Sequence, residues 1–142
     1  MKFYVMNRIP VKRRARFNVK TGRTYVDSKT QEDLQLVAQS YKVPFYTCPV
    51  AVIAFVYRQL PKAKKASEPF DTKPDVDNIL KALMDGLNGV AYMDDKQVTV
   101  TYVKKLDRDK MPGEYVKYTV IPVEKLTGHV FDEEGEICDS KI

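Results

Sequence analysis

Hydrophobic positions along this chain change period several times, and the changes mark its elements. Residues 3–9 read as a strand, and the basic segment after them turns at Thr21-Gly22. Thr30 with Asp33 has the form of a capping box, ahead of a helix carrying Leu34, Val37, Ala38 and Tyr41 on one side. Pro44 stops that helix. Residues 48–57 run through Val, Ile, Phe and Ala without polar alternation, which predicts a central strand buried on both faces. Residues 61–74, with Pro61, Pro69, Pro74 and several lysines, read as a polar loop of a length usually functional or disordered. The next helix is the best defined: Val76, Ile79, Leu80, Leu83, Met84 and Leu87 form an apolar stripe. Asp77, Asn78, Lys81 and Asp85 lie on its outer side, and Asn88-Gly89 ends it. Residues 97–106 and 114–123 then read as two strands of a hairpin joined through 107–113. The stretch after Lys125 lacks a strong pattern and reads as a loose tail, and no internal repeat is present.

A chain of 142 residues fits one domain with a modest core, and its 44% hydrophobic and 30% charged residues suit a soluble globular protein. No apolar run approaches the roughly 20 residues of a membrane span, and Met1-Lys2-Phe3 does not open a signal peptide. No membrane partner and a cytoplasmic location are therefore expected. Cys48 and Cys138 lack metal-binding spacing and read as free thiols. The net charge of +5 is unevenly placed. Lys2, Arg8, Lys12, Arg13, Arg14, Arg16, Lys20 and Arg23 precede the first acid, Asp27, whereas residues 124–142 are mainly acidic. Such clustering suits either a solvated face or a nucleic-acid contact, where each neutralised phosphate releases counterions.

Inside this basic chain the acids gather at two points. Asp75 and Asp77 follow Lys73-Pro74 at the helix entrance, and Asp94-Asp95 follow the helix. With Asp77 as N-cap, the backbone before it is extended and both side chains point the same way. An earlier helix start would spread them by about 160°, at ~100° per residue. Capping alone accounts for one aspartate at a helix start, and a turn alone accounts for Asp94-Asp95. Residues 90–93 are long enough to bring Asp95 back beside the helix entrance. Carboxylates so gathered repel one another unless a cation relieves them, and Mg²⁺ accepts such oxygen ligands. Lys81, one helical turn after Asp77, forms either an ordinary ion pair or a contact to a phosphate. His129, in the acidic tail, is a poor general base.

The string Lys73-Pro-Asp-Val-Asp-Asn-Ile-Leu-Lys81, with Asp85-Gly-Leu-Asn-Gly-Val-Ala-Tyr-Met-Asp-Asp-Lys-Gln-Val98, resembles the RusA family of Holliday-junction resolvases. Ile9-Pro-Val-Lys-Arg-Arg-Ala-Arg-Phe17 and Tyr25-Val-Asp-Ser-Lys-Thr30 resemble that family's opening, so the likeness spans most of residues 1–123. These resolvases are small endodeoxyribonucleases often carried by prophages. The resemblance implies an α+β (mixed α/β) fold: a small mixed β-sheet of about four strands with two main helices, homodimeric. It divides the chain into a nuclease domain, 1–123, and an acidic C-terminal tail, 124–142. It implies four-way DNA junctions as partner, Mg²⁺ as cofactor with Mn²⁺ able to substitute, and two symmetric sites that nick opposing strands in recombination and repair. By position, Asp75, Asp77 and Asp95 resemble the catalytic acids and metal ligands, Asp94 is a further candidate ligand, and Lys81 resembles the essential lysine. Lys12, Arg13, Arg14, Arg16, Lys62, Lys64, Lys65 and Lys73 are the expected DNA contacts. Two other readings use the same basic surface: a DNA-binding module without catalysis, and a metal nuclease for another DNA shape.

Overall fold

A computed structural model of the chain describes residues 2–13, 15–58, 74–107, 113–126, 129–131 and 137–139. In chain order the elements are β1 (Tyr4–Met6), β2 (Arg16–Asn18), β3 (Arg23–Tyr25), α1 (Ser28–Ser40), β4 (Val50–Arg58), α2 (Val76–Leu87), β5 (Val98–Asp107), β6 (Tyr115–Pro122), β7 (His129–Phe131) and β8 (Ile137–Asp139). Short 3₁₀ turns, Asp95–Gln97 and Val123–Leu126, precede β5 and follow β6. No described helix is long and apolar enough to cross a membrane.

The apolar run at 50–57 decides the architecture. Every residue of β4 except Tyr57 is buried, so both its faces need cover and both its edges need hydrogen-bonded neighbours. It lies inside a four-stranded sheet of order β1-β6-β4-β5. It pairs parallel with β5 and antiparallel with β6. The expected hairpin of β5 with β6 therefore does not form, because β4 sits between them. Pairing β5 directly with β6 would have cost β4 a neighbour. The sheet is mixed and the fold α+β, as the family resemblance implied.

Alternation along β4 divides the core. Val50, Val52, Ala54 and Val56 pack with Tyr4, Met6, Val116 and Tyr118 and with Val37, Ile79, Leu83 and Leu87 of the helices. Ala51, Ile53 and Phe55 face the other way, with Phe3, Tyr102 and Ile121 packed against them. The two helices meet closely at Gly86, where a Cβ would lie 2.6 Å from Val37 Cβ and 3.0 Å from the Leu34 carbonyl oxygen. Along α2 the fully buried stripe is Ile79, Leu83 and Leu87 with Ala82 and Gly86, while Val76, Leu80 and Met84 flank it half-buried. Asn88 is the C-cap, and Gly89 takes a φ of 76° that favours glycine.

The start of α1 differs from expectation. Asp27 is the N-cap, its side chain accepting the Lys29 N–H at 2.8 Å. Thr30 and Asp33 are instead buried inside the helix and serve the N-terminal segment. Past Lys125, where a loose tail was expected, β7 pairs antiparallel with β8. Cys48 is a free, half-buried thiol.

Candidate active site

Helix α2 takes the earlier of the two starts that the sequence allows. Asp75 is its N-cap, extended at φ −73° and ψ 149°, and Asp77 stands in the first turn. The carboxyl of Asp75 makes no capping hydrogen bond, so capping does not explain it. The earlier start does not separate the pair. Asp75, Asp77, Asn78 and Lys81 share one side of an open groove of about 740 Å³, whose other side is Lys12, Arg13 and Ala15. Among the described residues none of Asp75, Asp77 and Lys81 has an ion-pair partner, so of the two alternatives for Lys81 the ion pair with Asp77 is not made.

What holds the far wall is Asp33, whose pattern with Thr30 had the form of a helix cap. Asp33, with no solvent exposure, accepts the Val11 N–H at 3.1 Å and Arg13 Nη1 at 3.1 Å, and its other oxygen lies 2.8 Å from Arg8 Nε. Thr30 Oγ1 accepts the Arg13 N–H at 3.3 Å. The Lys12 N–H donates to the Asn78 carbonyl at 3.0 Å, and Lys12 Nζ lies 3.0 Å from the Asp85 carboxylate. Thus Lys12 and Arg13, both expected DNA contacts, have their charges engaged within the protein. Arg16 reaches Asp27 at 3.1 Å but stays largely exposed. Arg14, Lys62, Lys64, Lys65 and Lys73 lie outside the described residues.

The second acidic pair is fixed by a different set of bonds. Ala91 and Tyr92 are buried, the Tyr92 hydroxyl donates to the Met84 carbonyl at 2.8 Å, and the Tyr46 N–H donates to Ala91 O at 2.8 Å. Burial first, then the charges of Asp95, Asp85 and Asp94, push the Tyr92 hydroxyl up, which keeps it a donor. Asp94 caps the Asp95–Gln97 turn by accepting the Lys96 N–H at 3.2 Å. Gln97 accepts the Met93 N–H at 2.9 Å and donates to Tyr46 O at 3.0 Å and Cys48 O at 3.1 Å, tying the turn to the entrance of β4. Asp94 and Asp95 sit side by side, and a proton held by one can be shared with the other, which splits their acidities. That sharing and the Lys96 N–H lower Asp94, whereas the same sharing, desolvation and the charges of Asp94 and Asp85 raise Asp95.

These two acidic pairs do not meet within one chain. Asp95 feels Asp94 and Asp85, at the last turn of α2, and the rise from Asp75 to Asp85 is about 15 Å at ~1.5 Å per residue. Among the described residues no three acidic, His or Cys side chains gather into a metal-holding group. The expectation that residues 90–93 return Asp95 to the helix entrance is corrected by the topology. In a parallel β4–α2–β5 crossover the helix runs back along the sheet, and β5 starts opposite the start of β4, with Val50 against Val98. The chain therefore re-enters the sheet where α2 ends, not where it begins.

A family model described as Endodeoxyribonuclease RusA matches residues 8–119, a span that takes in the clamped N-terminal segment, both acidic pairs and α2. A Bacillus subtilis (strain 168) protein described as uncharacterized protein YqaN is 31% identical over 122 residues, covering 74% of this chain and 86% of that relative. The length of the family match, over a sequence whose motifs resemble the same family, places the chain among the RusA endodeoxyribonucleases.

Proposed function

We propose that the protein is a divalent-metal-dependent endodeoxyribonuclease that resolves four-way DNA junctions by paired nicks, acting as a two-fold homodimer. The observation that carries this reading is the groove in which Asp75, Asp77 and Lys81 face a basic segment without being neutralised by it. Asp75 and Asp77 offer only oxygens and have no ion-pair partner among the described residues, a donor set that fits a hard cation taking one or two carboxylates and completing its shell with water and phosphate oxygens. When bound, Mg²⁺ or Mn²⁺ supplies Lewis acidity at the phosphate and a water of lowered pKa. Asp75 and Asp77 orient that charge toward the groove, and Lys81 adds a cation where negative charge builds on the phosphoryl oxygens. The Lys12–Ala15 wall limits how a strand can lie. Binding should follow junction shape rather than base sequence, because phosphate contacts carry no sequence information.

Asp94 and Asp95 belong to the site through the second copy. A two-fold operator pairs the start of one α2 with the acidic turn of the other, and does so twice, giving two equivalent centres for two strands. Support comes from the exposed apolar residues that flank the Tyr46–Tyr92 bridge next to that turn: Val43 at 75%, Phe45 at 46% and Met93 at 72% exposure.

Four-way, forked and linear DNA incubated with the purified chain in Mg²⁺ or EDTA tests the proposal. Paired nicks in the four-way substrate, only with metal, are the expected outcome. Asp75→Asn should abolish nicking and keep junction binding, and Lys81→Ala should slow nicking about a hundredfold or more. Salt-sensitive binding without nicking would make the protein a junction-binding module. Preferential cutting of forks would make it a flap-type nuclease.

A further inference from the structure

Strands β2 and β3 form a sheet of their own, and every residue from 15 to 26 is exposed. Phe17 is 59% exposed and Val19 86%, unusual for a pair of large apolar side chains on a ribbon that adds nothing to either core. The register sets two faces. Arg16 lies opposite Tyr25 and Asn18 opposite Arg23 on one, while Phe17 opposite Thr24 makes the other. Lys20 is at the tip, in a turn closed by the Gly22 N–H on Asn18 O at 2.8 Å, and no acid occurs before Asp27. The ribbon thus presents cations on one side and an unshielded aromatic ring on the other.

Its position says what covers it. Ala15 lines the carboxylate groove and Arg16 starts the ribbon. Arg13 borders both that groove and a second one shared by Arg16, Tyr25 and Lys29, so the two grooves adjoin. A strand whose phosphate sits between Asp75 and Lys81 reaches the ribbon directly. Three-residue strands extend about 10 Å, close to three nucleotides at roughly 3.4 Å each. Nucleic acid supplies both the polyanion for Arg16, Lys20 and Arg23 and a flat π-face for Phe17.

We propose that the β2–β3 ribbon reads the branch point: Arg16, Lys20 and Arg23 grip backbone phosphates, and Phe17 stacks on a base unpaired at the junction centre, about three nucleotides or fewer from the cut. This rests on the nuclease reading for its substrate but is tested without cleavage. A four-way junction with 2-aminopurine at the branch point is titrated in EDTA with the full chain, beside a linear duplex. Binding of wild type and Phe17→Tyr brightens the probe, whereas Phe17→Ala and Phe17→Leu leave it quenched, Leu keeping apolar bulk without a flat ring. Junction affinity of Phe17→Ala falls about tenfold with duplex affinity unchanged, and thermal melts matching wild type show that the fold is kept. Arg23→Ala weakens junction and duplex together. Equal brightening by Phe17→Ala overturns the proposal, as does an equal loss on both DNAs. Loss of binding to anionic phospholipid vesicles with unstacking unchanged also overturns it, and makes the ribbon a membrane contact. If Mg²⁺ yields no nicks while brightening still depends on Phe17, the nuclease reading fails and the ribbon's role stands.

Discussion

Asp33 is the residue on which most of the N-terminal order depends. It carries a charge out of water and receives Arg8, Arg13 and the Val11 N–H in return. Asp33→Ala should cost about 2–3 kcal/mol, the range for charge-assisted hydrogen bonds, because both arginines are exposed enough to rehydrate once the carboxylate is gone; urea unfolding measures it. The acidic turn makes a prediction in pH. Raising Asp95 favours the fold below the ordinary carboxylate pKa, and that contribution is lost as pH rises through the raised value. Lowering Asp94 acts oppositely: it stabilises above the ordinary value and is lost as pH falls through the lowered one, so the stability effects offset. Of this pair, the proposed nicking needs Asp95 ionised and so feels its raised value. Its acid limb should lie above the ordinary aspartate value, and Asp94→Asn should move that limb to lower pH in a profile of nicking rate against pH. Asp75, Asp77 and Lys81 were legible because a proline and an apolar stripe announced the helix entrance. The partner of Arg13 was not, since a run of cations does not reveal which one faces a buried carboxylate.

Elements were readable where one period persisted. The α2 stripe and the apolar run of β4 needed only spacing. The link between β5 and β6 misled, because a short gap between two strands suggests pairing only when no third strand needs the place. Likewise Thr30 and Asp33 have capping chemistry, and only the packing of residues 8–13 against α1 shows their use. The α1–α2 contact adds a prediction at this scale. Alanine at position 86 gains about 1 kcal/mol of helix propensity, but its methyl meets Val37 Cβ and the Leu34 backbone, neither of which can swing aside. Overpacking of this kind costs about 1–3 kcal/mol, so Gly86→Ala should lower stability by up to about 2 kcal/mol net in denaturant titration.

At the scale of the molecule, the family was legible from its motif string, while the separation of the two acidic pairs was not. That separation follows from the parallel crossover, which spacing along the chain does not reveal. Subunit mixing tests its consequence. Asp75→Asn and Asp95→Asn should each be inactive alone, yet mixed dimers should regain one intact centre and cut a single strand of the junction. No recovery on mixing would return both pairs to one subunit. A last consequence concerns synthesis. Tyr4 pairs with Tyr118, so the strand earliest in the sequence finds its neighbour only when the latest strand of the main sheet arrives. Until then β4 lacks its antiparallel partner, and a growing polypeptide carries both acidic pairs without the complete sheet that positions them.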